Sequence, residues 1–180
     1  MDSNYSDALN TVSGVLVIDK PVGLTSHDVV QVVRRGTNIR RAGHTGTLDP
    51  RASGVLVVLV GPAVRLSEYV SASDKRYQAV VELGVTTDTF DADGAVTSSA
   101  PVDVTEEQFS EALASFVGEI EQVPPPYSAV RVKGRRAYDL AREGEILDLA
   151  ARPLWVESLA LTARPDRDTV TLEMVCGKGG

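Results

Sequence analysis

The chain has little of what several protein classes require. Its 180 residues include one cysteine, Cys176, and two histidines, His27 and His44. A single cysteine excludes an internal disulfide, and these three residues cannot fill a zinc site built from cysteine and histidine. The shortage predicts a cytoplasmic protein that holds no metal.

Long apolar runs are also missing. The longest, Val55–Val60, is followed at once by glycine and proline, whereas a membrane helix needs about 20 apolar residues. Residues 1–12 carry Asp2 and Asp7 in place of the basic and apolar segments of a secretory signal. We therefore expect no membrane span, a disordered tail over 1–12, and one domain over 13–180, for which a hydrophobic content of 43% is sufficient.

Positive charge is scarce overall but is concentrated locally. The net charge of −7 and the pI near 4.8 argue against a general nucleic-acid binder, because phosphate neutralisation dominates non-specific affinity. The acids concentrate between Asp88 and Glu121, and solvated surface charge remains an alternative reading of the whole pattern. Any RNA site must be local, and two basic stretches are available: Arg34, Arg35, Arg40 and Arg41, and Arg131, Lys133, Arg135 and Arg136.

Periodicity and turn residues predict an α+β fold with a mixed, mainly antiparallel sheet flanked by helices. The predicted strands are Gly14–Asp19, Val55–Val60, Lys75–Leu83, Leu154–Leu161 and Thr169–Cys176. The predicted helices run from the capping box of Thr25 and Asp28 to Gly36, over Val64–Val70, over Thr105–Val117 and over Arg136–Glu143. The side chains expected to face inward on the first three helices are Val29, Val32 and Val33; Leu66 and Tyr69; and Ala112, Leu113 and Phe116.

The segment Arg41–Gly54 is predicted to be a structured loop because glycine and proline interrupt it repeatedly. Its part Gly43–Pro50 combines a histidine, two threonines and a carboxylate, Asp49, whose direction the following proline would restrict. This composition is typical of an active site. Two plainer readings stay open, namely that Asp49-Pro50 only starts a turn and that His44 is only an exposed loop imidazole.

Other candidate motifs are weak. Thr89–Gly94 has the spacing of half a calcium loop, but the twelfth position is Ala100 in place of a bidentate glutamate. Cys176 lies on the apolar face of a predicted strand, where a thiol is usually a small core residue. Neither motif predicts a site.

Taken together, the chain from Gly14 to Lys178 resembles the TruB-type tRNA pseudouridine synthases. The resemblance is carried by five ordered blocks: Gly14–Pro21 with Gly23, Thr25 and Ser26; Arg41–Pro50 with Ala52, Gly54, Val55 and Leu56; Lys75–Tyr77 with Leu83, Gly84, Thr87–Thr89, Asp91 and Gly94; Gln122, Pro124, Pro125, Tyr127–Ala129, Gly134, Tyr138, Ala141 and Arg142; and Cys176–Gly179.

This resemblance implies a cofactor-free isomerisation of uridine 55 in the T-arm of tRNA, performed by a monomer on a flipped-out nucleotide. Asp49 is implied as the nucleophilic carboxylate, Tyr77 as the ring that stacks on the base, and His44 as a contact to the RNA backbone. Lys20 is implied to support the loop near the site. Arg41 and Thr47, from the same loop motif, are assigned to substrate binding.

The chain departs from the family pattern at its C-terminal end. Family members continue after Cys-x-Lys-Gly with Thr-Tyr-Ile-Arg, further core elements and usually a small RNA-binding domain. We therefore expect a truncated catalytic domain that lacks the arginine partner of Asp49 and has little activity of its own. The alternatives are a non-catalytic tRNA-binding or tRNA-folding module on the same scaffold, and an acidic interaction domain with no RNA role.

Overall fold

The structure is a computed structural model, which describes residues 12–125, 130–132, 134–137, 140, 143 and 149–179. The chain divides into two compact units, Met1–Ser73 and Asp74–Gly180. The predicted tail over 1–12 and the predicted helix over Arg136–Glu143 lie mostly outside the described residues.

The first unit is a three-stranded antiparallel sheet with a helix against it. Strand β1 is Gly14–Lys20, helix α1 is Ser26–Thr37, β2 is Ala42–His44 and β3 is Gly54–Val60. The strand order is β1-β3-β2, so the two outer strands both pair with β3. A 3₁₀ turn over Gly61–Leu66 and a short helix α2, Ser67–Ser71, complete the unit.

Helix α1 begins and ends where its sequence specifies. Thr25 caps the first turn through a complete capping box with Asp28. The helix ends at Thr37, because Asn38 adopts the left-handed conformation (φ 56°) that asparagine tolerates better than most residues. The predicted strands β1 and β3 and the predicted helix are therefore confirmed.

The core of the first unit is aliphatic and lies between α1 and the sheet. The helix contributes the face at helical spacing formed by Val29, Val30 and Val33, and strand β3 contributes Leu56 and Val58. The prediction that Val32 is buried is wrong, since its side chain is 53% exposed. Residues three, four or seven positions apart lie on one face of a helix. Position 30 is four residues after Ser26 and lies on its face, whereas position 32 is six residues after Ser26 and does not.

Two further predictions for this unit are wrong. Leu66 and Tyr69 were expected to face inward, but both are exposed, Tyr69 by 77%. The prediction assumed one continuous α-helix over Val64–Val70. The chain there is a 3₁₀ turn followed by a five-residue helix, so the spacing of the side chains around the axis differs from that of one α-helix. The predicted loop Arg41–Gly54 also begins with strand β2, because its first residues pair with the end of β3.

The second unit centres on a four-stranded antiparallel sheet of order β4-β11-β10-β7. Its strands are β4 Lys75–Glu82, β7 Gly118–Gln122, β10 Arg152–Ala163 and β11 Thr169–Cys176. Two short hairpins pair β5 Val85–Thr87 with β6 Val96–Ser99, and β8 Arg131–Val132 with β9 Arg135–Arg136. Every strand pair described is antiparallel, in agreement with the predicted α+β class.

Helix α3, Glu106–Ala114, is confirmed in position, with the predicted capping box of Thr105 and Gln108 complete. Its predicted inward face is wrong in part, because Ala112 and Phe116 are exposed and the helix buries no residue fully. The capping box is a local signal that needs no tertiary partner, which explains why the helix was predictable while its burial was not.

Candidate active site

The loop predicted to carry chemistry joins β2 to β3 as a wide antiparallel connection. His44 pairs with Val58 at the end of β2, and the Thr45 N–H donates to the Val57 carbonyl at 3.0 Å. Residues 46–53 then extend beyond the sheet before Gly54 starts β3. The sheet therefore fixes both ends of the loop.

The backbone on either side of Asp49 is held by the segment that follows β1. The Ser26 hydroxyl bonds to both backbone groups of Leu48, donating to the carbonyl at 3.0 Å and accepting from the N–H at 2.9 Å. The Gly23 N–H donates to the Pro50 carbonyl at 2.7 Å. The Asp49 carbonyl accepts from the Ala52 N–H at 3.0 Å. All three carbonyls from Leu48 to Pro50 have partners.

Asp49 is exposed on this fixed loop. Its carboxylate forms no hydrogen bond or ion pair with any residue in the described ranges. A carboxylate in this setting can approach a ligand without first breaking an internal contact. An aspartate used that way can attack an electrophilic carbon or stabilise a developing positive charge.

Lys20 lies at the end of β1 beneath the same loops. Its side chain is 0% exposed, and its ammonium donates to the Leu24 carbonyl at 2.7 Å and to the Pro21 carbonyl at 3.1 Å. Hydrogen bonds from a charged donor are stronger than neutral ones, so the ammonium stabilises the turn that carries Gly23. This geometry makes Lys20 a support of the loop.

His44 borders an open cleft of about 460 Å³ in the first unit. The polar side chains that line this cleft with it are Thr45, Arg65, Ser67, Glu68 and Ser71. Thr47 is exposed on the connection from β2 to β3, and Arg41 is exposed directly before β2, where its carbonyl accepts from the Gly61 N–H at 2.7 Å. The first unit thus contains five of the six predicted site residues: Lys20, Arg41, His44, Thr47 and Asp49.

Tyr77, the sixth predicted site residue, belongs to the second unit. It lies on β4 opposite Met174 of β11, and its half-buried ring packs against a core cluster that includes Val156 and Cys176. Burial raises the pKa of the Cys176 thiol, with a nearby Asp74 carboxylate adding to the effect and Lys75 opposing it. Tyr77 is therefore packed against the core of the second unit while remaining partly exposed.

The first unit carries a positive charge although the whole chain is acidic. Residues 1–73 contain seven lysines and arginines against six aspartates and glutamates, a net charge of +1, while the chain as a whole has −7. Over the described residues 12–73 the net charge is +3, because Asp2 and Asp7 lie before them. Arg35, Arg40, Arg41 and Arg51 are all exposed. Arg34 instead donates to the Ala42 carbonyl at 2.7 Å and connects α1 to β2. A polyanion would meet a favourable local field here.

Sequence reasoning did not assign a role to Ser26, because a hydroxyl one residue after a helix cap has no local signature of its own. The only sequence signal is its place beside Thr25 in the opening motif. Within the described ranges, no three His, Cys, Asp or Glu side chains come close enough together to hold a metal ion. None of the helices in that part of the chain is long and apolar enough to cross a membrane.

The fold is similar to that of chains in two solved complexes. A chain in the crystal structure of a Cbf5-Nop10-Gar1 complex matches with a TM-score of 0.67 and 27% identity, covering 97% of this chain and 42% of that chain. A chain in the structure of an H/ACA RNP bound to a substrate RNA containing 2'-deoxyuridine matches with a TM-score of 0.63 and 25% identity, covering 97% and 41%. The α+β class therefore agrees with experimentally determined relatives.

The family follows from a direct match over most of the chain. The model of the TruB family pseudouridylate synthase (N terminal domain) matches residues 34–180. The chain belongs to this TruB family of pseudouridylate synthases, as the residue blocks had indicated.

Curated relatives carry the name tRNA pseudouridine synthase B. The protein of Cereibacter sphaeroides is 56% identical over 169 residues, and that of Roseobacter denitrificans is 53% identical over 169 residues. Each alignment covers 94% of this chain but 56% of the relative. The chain thus spans about half the length of the curated relatives it matches.

Proposed function

We propose that this chain carries the catalytic portion of a tRNA pseudouridine synthase that isomerises uridine 55 in the T-arm. The observation that supports this most directly is the exposed Asp49 carboxylate on a loop whose neighbouring backbone groups are all hydrogen-bonded. Family membership supplies the reaction class, and the names of the relatives supply tRNA as substrate. The proposal describes a cytoplasmic monomer.

The proposed reaction is an isomerisation in which atoms and electrons balance within the nucleotide. The bond from the sugar C1′ to the base N1 breaks, the base turns, and a new bond forms from C1′ to C5. The proton leaves C5 and N1 gains one, so the stoichiometry requires no electron carrier. Asp49 either bonds to C1′ as the bond to N1 breaks and leaves when C5 bonds to C1′, or it adds to the base and is eliminated after the new bond forms. Both routes require its ionised form.

The other predicted site residues have side chains that suit recognition of a flipped nucleotide. The exposed arginines of the first unit provide charge for RNA phosphates. His44, with the hydroxyls of its cleft, is proposed to contact the RNA backbone beside the extruded uridine. Tyr77 is proposed to stack on the base, since an aromatic face accepts any base without hydrogen-bond readout. Lys20 is proposed to contribute indirectly, because its ammonium donates to the Leu24 carbonyl and so stabilises the turn that contains Gly23.

The test replaces Asp49 by asparagine, which keeps the volume and removes the charge. Turnover is measured by tritium release from a T-arm stem-loop labelled at uridine C5, and RNA binding is measured in parallel. Because the chain spans about half of its relatives, both the chain and a fusion to the remaining C-terminal part of the Cereibacter sphaeroides relative are assayed. Asp49→Asn should abolish turnover and leave RNA affinity within about threefold, as expected for a group that acts in the transition state.

Asp19→Asn is the matched control, since Asp19 is another exposed aspartate of the first unit. It should turn over at the parent rate. Turnover by Asp49→Asn close to that of Asp19→Asn would refute the assignment of Asp49. RNA binding by the fusion without any turnover would instead favour the non-catalytic module.

A further inference from the structure

The hydroxyl of Ser26 connects helix α1 to the residue that precedes Asp49. It bonds to both the N–H and the carbonyl of Leu48, and the side chain is only 3% exposed. We propose that Ser26 is a positioning residue that fixes the direction of the Asp49 carboxylate. This inference rests on the proposed role of Asp49 and assigns to Ser26 a part in the same reaction.

Ser26 itself is held in place by its position in the helix. It follows the N-cap Thr25, whose hydroxyl accepts the Asp28 N–H at 3.0 Å, while the Asp28 carboxylate accepts the Thr25 N–H at 2.9 Å. Its side chain begins the buried face that continues with Val29 and Val30. A hydroxyl carried by a capped and packed first turn has little freedom to move, so it can serve as a fixed point.

Leu48 needs such a partner because it lies in no strand or helix. Backbone groups removed from water must find a hydrogen-bonding partner, and here one side chain supplies both. The Leu48 side chain also packs against the aliphatic core of the first unit. Residue 48 is therefore held at three points, and residue 50 is held through the bond from Gly23 to the Pro50 carbonyl. Asp49 lies between two anchored neighbours.

Loss of the Ser26 hydroxyl should lower turnover more than it weakens RNA binding. Without the Ser26 hydroxyl, the N–H and carbonyl of Leu48 would exchange with water, and the direction of the Asp49 side chain would spread over several conformers. A displacement of about 1 Å of a reacting group can cost on the order of 100-fold in rate. The RNA contacts of the exposed arginines do not depend on this hydroxyl, so KM should change little.

The experiment compares three substitutions in the chain and in the fusion described above. Ser26→Ala removes both hydrogen bonds, and Ser26→Thr restores a hydroxyl. The matched control is Thr37→Val at the opposite end of α1, where the hydroxyl likewise donates to one carbonyl, that of Val33, and accepts one N–H, that of Ile39. Two readouts are taken: kinetics on the T-arm stem-loop, and amide hydrogen exchange at Leu48 and Asp49.

Ser26→Ala should lower kcat about 100-fold with KM within threefold, and Leu48 exchange should accelerate at least tenfold. Ser26→Thr should recover most of both, and Thr37→Val should leave Leu48 exchange at the parent rate. Parent turnover by Ser26→Ala, while Asp49→Asn is inactive, would overturn the inference but leave the proposed function intact. Equal kcat losses in Ser26→Ala and Thr37→Val would also overturn it, because they would indicate general destabilisation.

If the proposed function fails and no variant turns over, the exchange measurement decides whether Ser26 holds the loop. Unchanged Leu48 exchange in Ser26→Ala would then overturn the inference. Should Ser26→Ala fail to fold, Ser26→Cys takes its place, because a thiol fills the position but is a weak donor and acceptor.

Discussion

Adding one methyl group at Gly61 or at Gly36 should change the free energy of unfolding of the first unit in opposite directions. Gly61 is buried directly after β3, has φ +61°, and donates its N–H to the Arg41 carbonyl at 2.7 Å. A Cβ at this position would overlap the backbone carbonyl of Val12. Gly36 lies within α1, and apart from its chain neighbours and the nearby backbone of the helix itself, no heavy atom lies within 4 Å of its Cβ position.

The two magnitudes follow from these surroundings. A left-handed backbone costs a residue with a Cβ about 1–2 kcal/mol, and overpacking costs about 1–3 kcal/mol. The overlapping atom at Gly61 is main chain next to β1, which pairs with β3 along its whole length, so it cannot swing aside as a side chain would. Gly61→Ala should therefore destabilise by about 2–5 kcal/mol. Gly36→Ala should stabilise by about 0.5–1 kcal/mol, because alanine is the better helix former.

The assay is urea unfolding followed by far-UV circular dichroism, with hydrogen exchange of peptides from residues 42–60 to assign the change to the first unit. The single tryptophan, Trp155, lies in the second unit, so its fluorescence gives a separate signal. Gly61→Ala within 1 kcal/mol of the parent would refute the steric argument. Loss of stability in Gly36→Ala would refute the assignment of an open helical position.

Three further changes test other parts of the molecule. Tyr77→Ala should cost about 1–3 kcal/mol in kcat/KM through lost base stacking, whereas Tyr77→Phe should match the parent; equal kinetics for all three would make Tyr77 a core residue only. The pKa of Asp28 is lowered mainly by hydrogen bonds from Thr25, so its stabilisation is present at neutral pH and lost as pH falls below about 4. Thermal melts of Asp28→Asn should accordingly show a flatter acid dependence than the parent. Burial raises the pKa of Cys176, so its thiol should react with a disulfide reagent slowly in the native state and quickly in urea; fast native reaction would contradict its burial.

The elements that the sequence predicted well are those specified by neighbours within a few residues. Both capping boxes, at Thr25 and Thr105, place a hydroxyl and its partner three positions apart, so the helix starts are readable from the sequence itself. The apolar strand face predicted for Cys176 likewise agrees with the burial of this side chain. In these cases no distant contact is needed.

The sequence-based predictions failed where the local structure depends on contacts with residues distant in the chain. Strand β2 exists because its three residues pair with the end of β3, and its own residues carry no strand signal. Tyr69 lies in α2 and Phe116 lies just after α3, and their exposure depends on which surfaces meet these segments, which periodicity alone cannot specify. Hydrophobic periodicity predicts that a face is apolar, while burial requires something to cover it.

The candidate site likewise has features that the local sequence predicts and features that depend on contacts with distant residues. The residues of the loop that carries Asp49 could be picked out by composition, but the contacts that hold it come from positions 22 and 27 residues earlier: Ser26 to Leu48, and Gly23 to Pro50. Folding therefore pays the entropy of ordering this backbone before any RNA arrives, and binding need not supply it. The Asp49 side chain extends from this anchored backbone into solvent, so its direction is set by the positions of residues 48 and 50. The Ser26 hydroxyl is buried and bonds to the backbone beside Asp49, which explains why its removal should change turnover in the proposed reaction.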